Sequence, residues 1–304
     1  MQNTKSLILL GSTGFLGSAV LDLLKSKSLV DLDVLTSKSS PPNEAFTLSL
    51  LGPDFVSARK FNSDTLFSAL NSDVTVINCA SSRNSKNEEL SLEGNYTFPR
   101  EVLESLLAIN GIRIRWIQLE TFWQYSESSS PDDRYVYWKN QFGNLLADYS
   151  SNENILVEKL ILPHLIGPFD SPRRFLPRLF LNILKGESVS INSPEEIFCI
   201  ADVRDVARYL VGSACDRPTR RSPPSALFPF TNIQLIEMVQ HFSKFSSNKP
   251  QIEFLNSRDS SNPVLHLSEQ PPLLEIVGQS LLNLDTTLLN VAEWLSGLEH
   301  VDSL

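Results

Sequence analysis

The sequence predicts an α/β fold: a doubly wound parallel sheet followed by a smaller C-terminal α/β lobe. Three observations predict it. Short apolar runs of strand length alternate with stretches of helical periodicity up to position 162. A glycine-spaced turn, Gly11-x-x-Gly14-x-x-Gly17, joins the first run to the first helical stretch. Beyond it the texture changes, with prolines at 163, 168, 172 and 177 and again at 218, 223 and 224. The expected domains are therefore 1–162 and 163–304, the second partly returning to the first sheet.

The elements follow in order. "SLILL" (6–10) is a buried strand closed by Gly11, and "FLGSAVLDLLKSK" has apolar residues at helical spacing. "LDVLTS" reads as the second strand, "TLFSALNS" as a short helix and "DVTVINCAS" as another buried strand. "FPREVLESLLAING" is a helix with Asn110-Gly111 as its stop. "IRIRWIQLE" is a strand, "YVYWKNQFGNLLADYS" a helix and "NILVEKLILP" a strand. In the second lobe "RFLPRLFLNILKG" is a helix, "FCIADVRDVARYLVGSA" a strand running into a helix, and "NIQLIEMVQHFSKF" another helix. Serine-rich stretches at 81–85, 126–130 and 257–261 read as solvated loops.

Composition narrows the function. The 304 residues are 41% hydrophobic and 20% charged, an ordinary globular mixture able to bury a substantial core. A net charge of −9 argues against nucleic acid, whose binding needs clustered Lys and Arg. Cys79, Cys199 and Cys215 form no disulfide framework and no metal-type spacing, and Cys79 reads as small core filling. His164, His241, His266 and His300 make no ligand pair, so no metal is expected. "MQNTKSLILL" is too short in its apolar run for a signal peptide, and no run reaches membrane-spanning length. The expected location is the cytoplasm, with no membrane partner.

Strand, glycine turn and helix in that order make a dinucleotide-binding, Rossmann-type turn. Gly11 permits the tight turn, Gly14 lets backbone N–H groups approach a pyrophosphate, and Gly17 lets the helix pack closely. Thr13, Phe15 and Leu16 complete this expected cofactor cradle. A plain ribose is usually held by an acid at the end of the second strand. Here Thr36, Ser37, Lys38 and Ser39 occupy that tip, and Asp33 comes too early. Hydroxyls and a lysine suit a 2′-phosphate, so Ser37 and Lys38 point to NADP(H), with NAD(H) as the alternative.

"RYVYWKNQF" (134–142) carries the chemistry. Tyr135 and Lys139 are i, i+4 and share a helix face, whereas Tyr137 cannot and is expected to pack. A phenol beside an ammonium is a proton donor for a carbonyl oxygen receiving a hydride.

With "STGFLG" inside the turn and "YVYWK" as Y-x-x-x-K, the chain resembles the extended short-chain dehydrogenase/reductase superfamily, also known as the NAD(P)-dependent epimerase/dehydratase family. The resemblance runs in order through "VINCAS", Asn95 in "EGNYTFP", "LILPHLIGP" and "VRDVARYL", over about residues 5 to 210. It implies Thr121, Tyr135 and Lys139 as catalytic residues. It implies cofactor contacts from Asn62, where the family's adenine-binding aspartate often sits, and from Cys79, Ala80, Ser81, Pro163 and His164. Ser82, Phe122 and Trp123 are implied to face the substrate. Dehydratases of the family carry Asp-Glu directly after the Thr; Phe122-Trp123 can do neither acid nor base work, so dehydration is not expected. The "TFWQY" and "NYTFP" phrases resemble CDP-abequose and CDP-paratose synthases, which are 4-ketoreductases of CDP-linked deoxysugars. One departure stands out. Where the family has Arg-Asp-Phe before its V-x-D-V-A helix, this chain has Phe198, Cys199 and Ile200, and Arg173 and Arg174 are the candidates to replace the arginine.

The expected function is an NADP(H)-dependent reductase of a keto group on a nucleotide-linked deoxysugar, acting as a homodimer. Three alternatives stay open: a sugar-nucleotide epimerase using the same residues, a non-catalytic nicotinamide-binding regulator, and a reductase of a lipid-like or aromatic ketone.

Overall fold

The computed structural model describes residues 5–26, 32–40, 45–51, 72–83, 88–125, 133–215, 225–248, 250–255 and 283–299. Asn62, the 65–71 helical stretch, the serine loops at 126–130 and 257–261, His266 and His300 lie outside the described residues. The chain divides into two compact units. The first takes in the described residues up to Leu162 together with those of Ala207–Phe228. The second takes in Pro163–Val206 and the described residues from Pro229 onward, apart from a stretch outside the described set.

In the first unit β1 (Lys5–Leu10) lies between β2 (Leu32–Ser40) and β4 (Asp73–Asn78), parallel to both. Leu7 to Leu10 are fully buried, as a strand covered on both faces requires. At the far edge β3 (Ala45–Leu51) pairs antiparallel with β2. Beyond β4, β5 (Arg113–Thr121), β6 (Ile155–Leu162) and β10 (Ser225–Leu227) add in parallel. Among the described residues this makes a seven-stranded sheet in the order β10-β6-β5-β4-β1-β2-β3. The order reverses between β1 and β4, the place where open α/β sheets present a ligand crevice.

The β2–β3 hairpin departs from the all-parallel expectation. Only positions 41–44 separate the two strands, far too few for a parallel crossover. The second strand also runs on through Ser40, so Ser37 and Lys38 sit in its paired body and not at a loop tip.

Helix α1 (Phe15–Ser26) follows the glycine turn. The helix read from Phe98 starts earlier: α2 (Glu88–Leu92) runs through a π-helical segment, Glu93–Thr97, into α3 (Phe98–Leu107). Pro99 is tolerated in the first turn of α3, and Gly111 beyond its end has φ +81°. Helix α4 (Arg134–Tyr149) is capped by Asp133, whose carboxylate accepts from the N–H groups of Tyr135 and Val136. Trp116, Phe142 and Leu146 are fully buried in the core that these helices share with the sheet.

The second unit contains β7 (His164–Ile166), β9 (Ile197–Asp202) and β11 (Thr231–Gln234) in one sheet, and β8 (Val189–Ile191) with β12 (Ile252–Phe254) in another. Residues 232–234, read as helix, are strand because they pair with β9 from Cys199 to Ile197; the helix begins only at Leu235. Around these sheets lie α5 (Phe175–Lys185), α7 (Leu235–Ser243) and α8 (Leu284–Glu299), with Phe180 and Phe242 stacked 4.0 Å apart at the centre. Between them in sequence, α6 (Val203–Cys215) crosses from the second unit to the first at Ala207. Its Ser213 is tied to the first unit's sheet by Arg115. The guanidinium donates to the Ser213 carbonyl and, at 2.7 Å, to its hydroxyl, while Nε and Nη2 pair with Glu158 at 2.8 and 2.9 Å.

Candidate functional site

The site begins where β1 ends. Gly11 has φ +76°, and a Cβ there would lie 2.6 Å from the Ala80 nitrogen. A Cβ on Gly17 would lie 2.0 Å from the Gly11 carbonyl oxygen, so α1 packs against the turn itself. Gly14 is different. It is exposed, its N–H donates to the Gly11 carbonyl at 3.0 Å, and a Cβ would meet only that oxygen at 3.3 Å. Thr13 is exposed beside it, Phe15 is half-buried, and Leu16 is buried in α1. The turn therefore presents backbone and the start of a twelve-residue helix to solvent, without side-chain bulk at Gly14. That geometry fits the diphosphate of a dinucleotide. The β1–β2 register sets Leu9 opposite Thr36, which brings Ser37 and Lys38 level with the turn.

The end of β4 closes the other side. Cys79 donates its N–H to the Leu10 carbonyl at 3.0 Å. Burial pushes its thiol up to about 12, with the charge of Lys139 opposing, so it carries no thiolate at neutral pH. Buried Asn78 accepts from the Ala80 N–H at 3.1 Å and donates to Gln118 at 2.9 Å. Ser81 is exposed, and Ser82 is clamped by Asn95 from the π segment. The Asn95 amide donates to the Ser82 carbonyl at 2.8 Å and accepts from its N–H at 3.3 Å, while also donating to the Ser91 carbonyl at 2.7 Å. A π turn is a recurring means of aiming a side chain at a site. Its partners come from distant positions, so sequence spacing does not reveal this clamp.

Helix α4 carries Tyr135 and Lys139. Lys139 is buried, and its ammonium donates to the Leu119 carbonyl at 2.9 Å. The same nitrogen lies 5.7 Å from the centroid of the half-buried Tyr135 ring. Tyr137 does not pack in the core as expected. It is 40% exposed, edge-on to Trp138 and beneath Arg134, because its helical direction points to solvent. Thr121 is the last residue of β5. Its hydroxyl accepts from the Trp123 N–H at 3.4 Å, and its own N–H donates to Gln124 at 2.9 Å. Gln124 in turn donates to Asn140 at 3.0 Å, which ties the Thr121 corner to the helix bearing Tyr135 and Lys139. Of the aromatic pair, Phe122 is buried and Trp123 half-buried, with ring centroids 4.6 Å apart.

Behind Thr121 lies a polar cluster that the sequence reading passes over, since Glu120 looks like the end of an apolar run. Glu120 is buried, lies 3.3 Å from the Lys159 ammonium, and accepts a hydrogen bond from the Tyr125 hydroxyl. Burial, then the charge and hydrogen bond of Glu120, hold Tyr125 well above the usual phenol range, with Ser225 opposing. Tyr125 thus stays a neutral donor, and the cluster stiffens the short 3-10 turn, Phe122–Tyr125, after Thr121.

The remaining candidates belong to the second unit. Pro163 is buried, and the His164 ring lies 5.4 Å from that of Phe198. Phe198 also stacks on the half-exposed Phe175. Arg174 pairs with Asp170 at 3.2 Å; burial raises the Asp170 carboxyl and Arg174 opposes that shift. Arg173 is exposed. Among the described residues no group of three or more His, Cys, Asp or Glu is placed to hold a metal ion, and no helix is long and apolar enough to cross a membrane.

Comparison with solved structures finds the same fold in sugar-nucleotide enzymes. UDP-glucuronic acid 4-epimerase from Bacillus cereus, in complex with UDP-glucuronic acid and NAD, superposes with TM-score 0.71 at 16% identity, covering 96% of this chain and 99% of that one. UDP-N-acetylglucosamine 4-epimerase from Methanobrevibacter ruminantium M1 gives 0.70 at 15% identity, covering 98% and 100%. A GDP-L-fucose synthetase from Naegleria fowleri gives 0.67 at 14%, covering 99% and 96%. A sequence search of curated proteins returns no significant match. The sequence profile of the NAD dependent epimerase/dehydratase family matches residues 7–215, a span that holds the glycine turn, the β4 loop and the Tyr135–Lys139 helix; the chain belongs to that family.

Proposed function

We propose that the protein is an NADP(H)-dependent reductase that reduces a keto group, at C4, of a nucleotide-linked deoxysugar. The observation that carries this reading is the pairing on α4, with the Lys139 ammonium held by the Leu119 carbonyl next to the Tyr135 ring. Gly11, Thr13, Gly14, Phe15, Leu16 and Gly17 would hold the dinucleotide phosphates, with Ser37 and Lys38 toward a 2′-phosphate and Cys79, Ala80 and Ser81 along its other side. The cofactor, when bound, supplies the hydride. Tyr135 gives its proton to the carbonyl oxygen as that oxygen becomes an alcohol. Lys139, with one N–H committed to Leu119, keeps two for the nicotinamide ribose and for the phenol oxygen. Thr121 accepts from Trp123 and keeps its own proton to orient the substrate oxygen. Ser82, Trp123, Arg173 and Arg174 are the residues proposed to meet the sugar nucleotide, and the lobe from 163 is proposed as its binding domain. The absent Asp-Glu pair after Thr121 supports reduction over dehydration.

A second reading, epimerisation at C4, keeps the same three side chains and is favoured by the two 4-epimerases among the structural relatives. Cofactor retained through purification and recycled within one turnover would select it. By resemblance to the family the protein is proposed to work as a homodimer, and its three scattered cysteines support the cytoplasm as its location.

The test is titration by NADPH fluorescence with the parent and Gly14→Asp, which sets a carboxylate where the phosphates must approach. Binding is expected to collapse in the variant while the fold persists. The parent is expected to bind NADPH about tenfold or more tightly than NADH, the scale of one charged contact, and Lys38→Ala to narrow the gap. Equal affinities for the two cofactors would remove the NADP(H) preference, and undiminished binding by Gly14→Asp would move the cofactor elsewhere.

A further inference from the structure

The loop after β4 carries a cation that the proposed reduction does not use. The Arg83 guanidinium carbon lies 5.8 Å from the centroid of the Tyr135 ring, nearly the distance of the Lys139 ammonium at 5.7 Å. The two cations differ in surroundings: Lys139 is buried and bonded to a carbonyl, whereas Arg83 is exposed. Among the described residues no carboxylate lies within ion-pair distance of Arg83. The backbone just before it is fixed, since Asn95 holds both the N–H and the carbonyl of Ser82. Gly94 backs the same residue so closely that a Cβ would stand 2.9 Å from the Ser82 Cβ. Arg83 thus springs from an anchored point and overhangs the ring that offers the proton.

We propose that Arg83 binds an oxyanion of the substrate and so sets the reacting carbon against Tyr135. This rests on Tyr135 as the proton donor. A guanidinium presents paired N–H donors in a planar fork that matches carboxylate or phosphate oxygens, and it is less strongly hydrated than an ammonium. Beside a ring face it also keeps a fixed direction, which lowers the ordering cost of binding. In a chain of net charge −9, an arginine with no carboxylate partner among the described residues favours the approach of an anionic substrate to the Tyr135 ring. Two parts of a sugar nucleotide carry such an oxyanion: the diphosphate link and, in a uronic acid, the ring carboxylate.

The experiment is calorimetric titration of NADPH-saturated protein with inorganic pyrophosphate, UDP-glucose and UDP-glucuronic acid, for the parent, Arg83→Lys and Arg83→Met. The parent is expected to bind at least one probe. Arg83→Met should weaken that binding about tenfold or more, the scale of a charged hydrogen bond. Arg83→Lys should recover part of the loss, because it keeps the charge and loses the fork. A loss shared by all three probes identifies the diphosphate, and a loss confined to UDP-glucuronic acid identifies the carboxylate. NADPH affinity and melting temperature should match the parent in both variants, since Arg83 is exposed. Unchanged affinities in Arg83→Met, or a parent that binds none of the probes, overturn the proposal. Failure of the reductase reading appears separately, as a parent that takes up no NADPH; the anion comparison is then made on the protein alone.

Discussion

Tyr135→Phe keeps the ring beside Lys139 and Arg83 and removes only the hydroxyl. Turnover of a 4-keto-6-deoxy sugar nucleotide, followed by NADPH oxidation, should fall by about a hundredfold or more. Tyr137→Phe should behave like the parent, because that side chain faces solvent. The opposite ranking of the two variants would mean that the wrong tyrosine carries the chemistry. This pair was readable from the chain because i, i+4 spacing on a helix is a local property. The partners of Lys139 and Ser82 were not. The Leu119 carbonyl lies twenty positions from Lys139, and Asn95 reaches Ser82 across thirteen, through a π turn that has no sequence signature. Arg83 was hidden for the same reason, inside what reads as a solvated serine loop.

At the level of elements, the Arg115–Glu158–Ser213 contact joins β5, β6 and α6. Both charged side chains are about nine-tenths covered, at 11% and 9% exposure, so cutting the pair leaves an uncompensated buried charge. Arg115→Met should cost about 3–5 kcal/mol in chemical denaturation, and Arg115→Met with Glu158→Leu should recover most of that. A double variant as unstable as the single one would show that the contact to Ser213, and not the ion pair, holds α6. Strands β1, β4, β5 and β6 were legible because burial on both faces writes a continuous apolar run. Hairpin strand β3 and the short β11 were not, since both exist through pairing with a neighbour that local composition does not name.

The whole molecule raises the question of assembly. The resemblance points to a homodimer through α3 and α4, where Phe142, Leu145 and Leu146 could form an apolar face or fill the core; Phe142 and Leu146 are fully buried in the core beside Trp116. A dimer on this face must therefore use the half-buried Leu145 and Tyr149 among exposed Glu101, Glu104, Asn144 and Asp148. Light scattering at micromolar concentration should give twice the chain mass of 34.1 kDa. A mass of one chain would remove the dimer. Which face of an amphipathic helix meets the core was legible in its period; what its other face meets is not encoded by spacing, because a solvated face and a polar interface read alike.

The three glycines of the first turn look equivalent in the motif, yet their surroundings give them different tolerances. Any side chain at Gly11 or Gly17 strikes backbone at 2.6 or 2.0 Å, whereas Gly14 opens to solvent with its nearest obstacle at 3.3 Å. In a library of every single substitution, sorted first for folded protein and then for dinucleotide capture, positions 11 and 17 should empty at the first sort. Variants at position 14 should pass it and vanish only at the second. One short turn thus carries two separable selections, and the residue that records the ligand is the one that the fold itself would release.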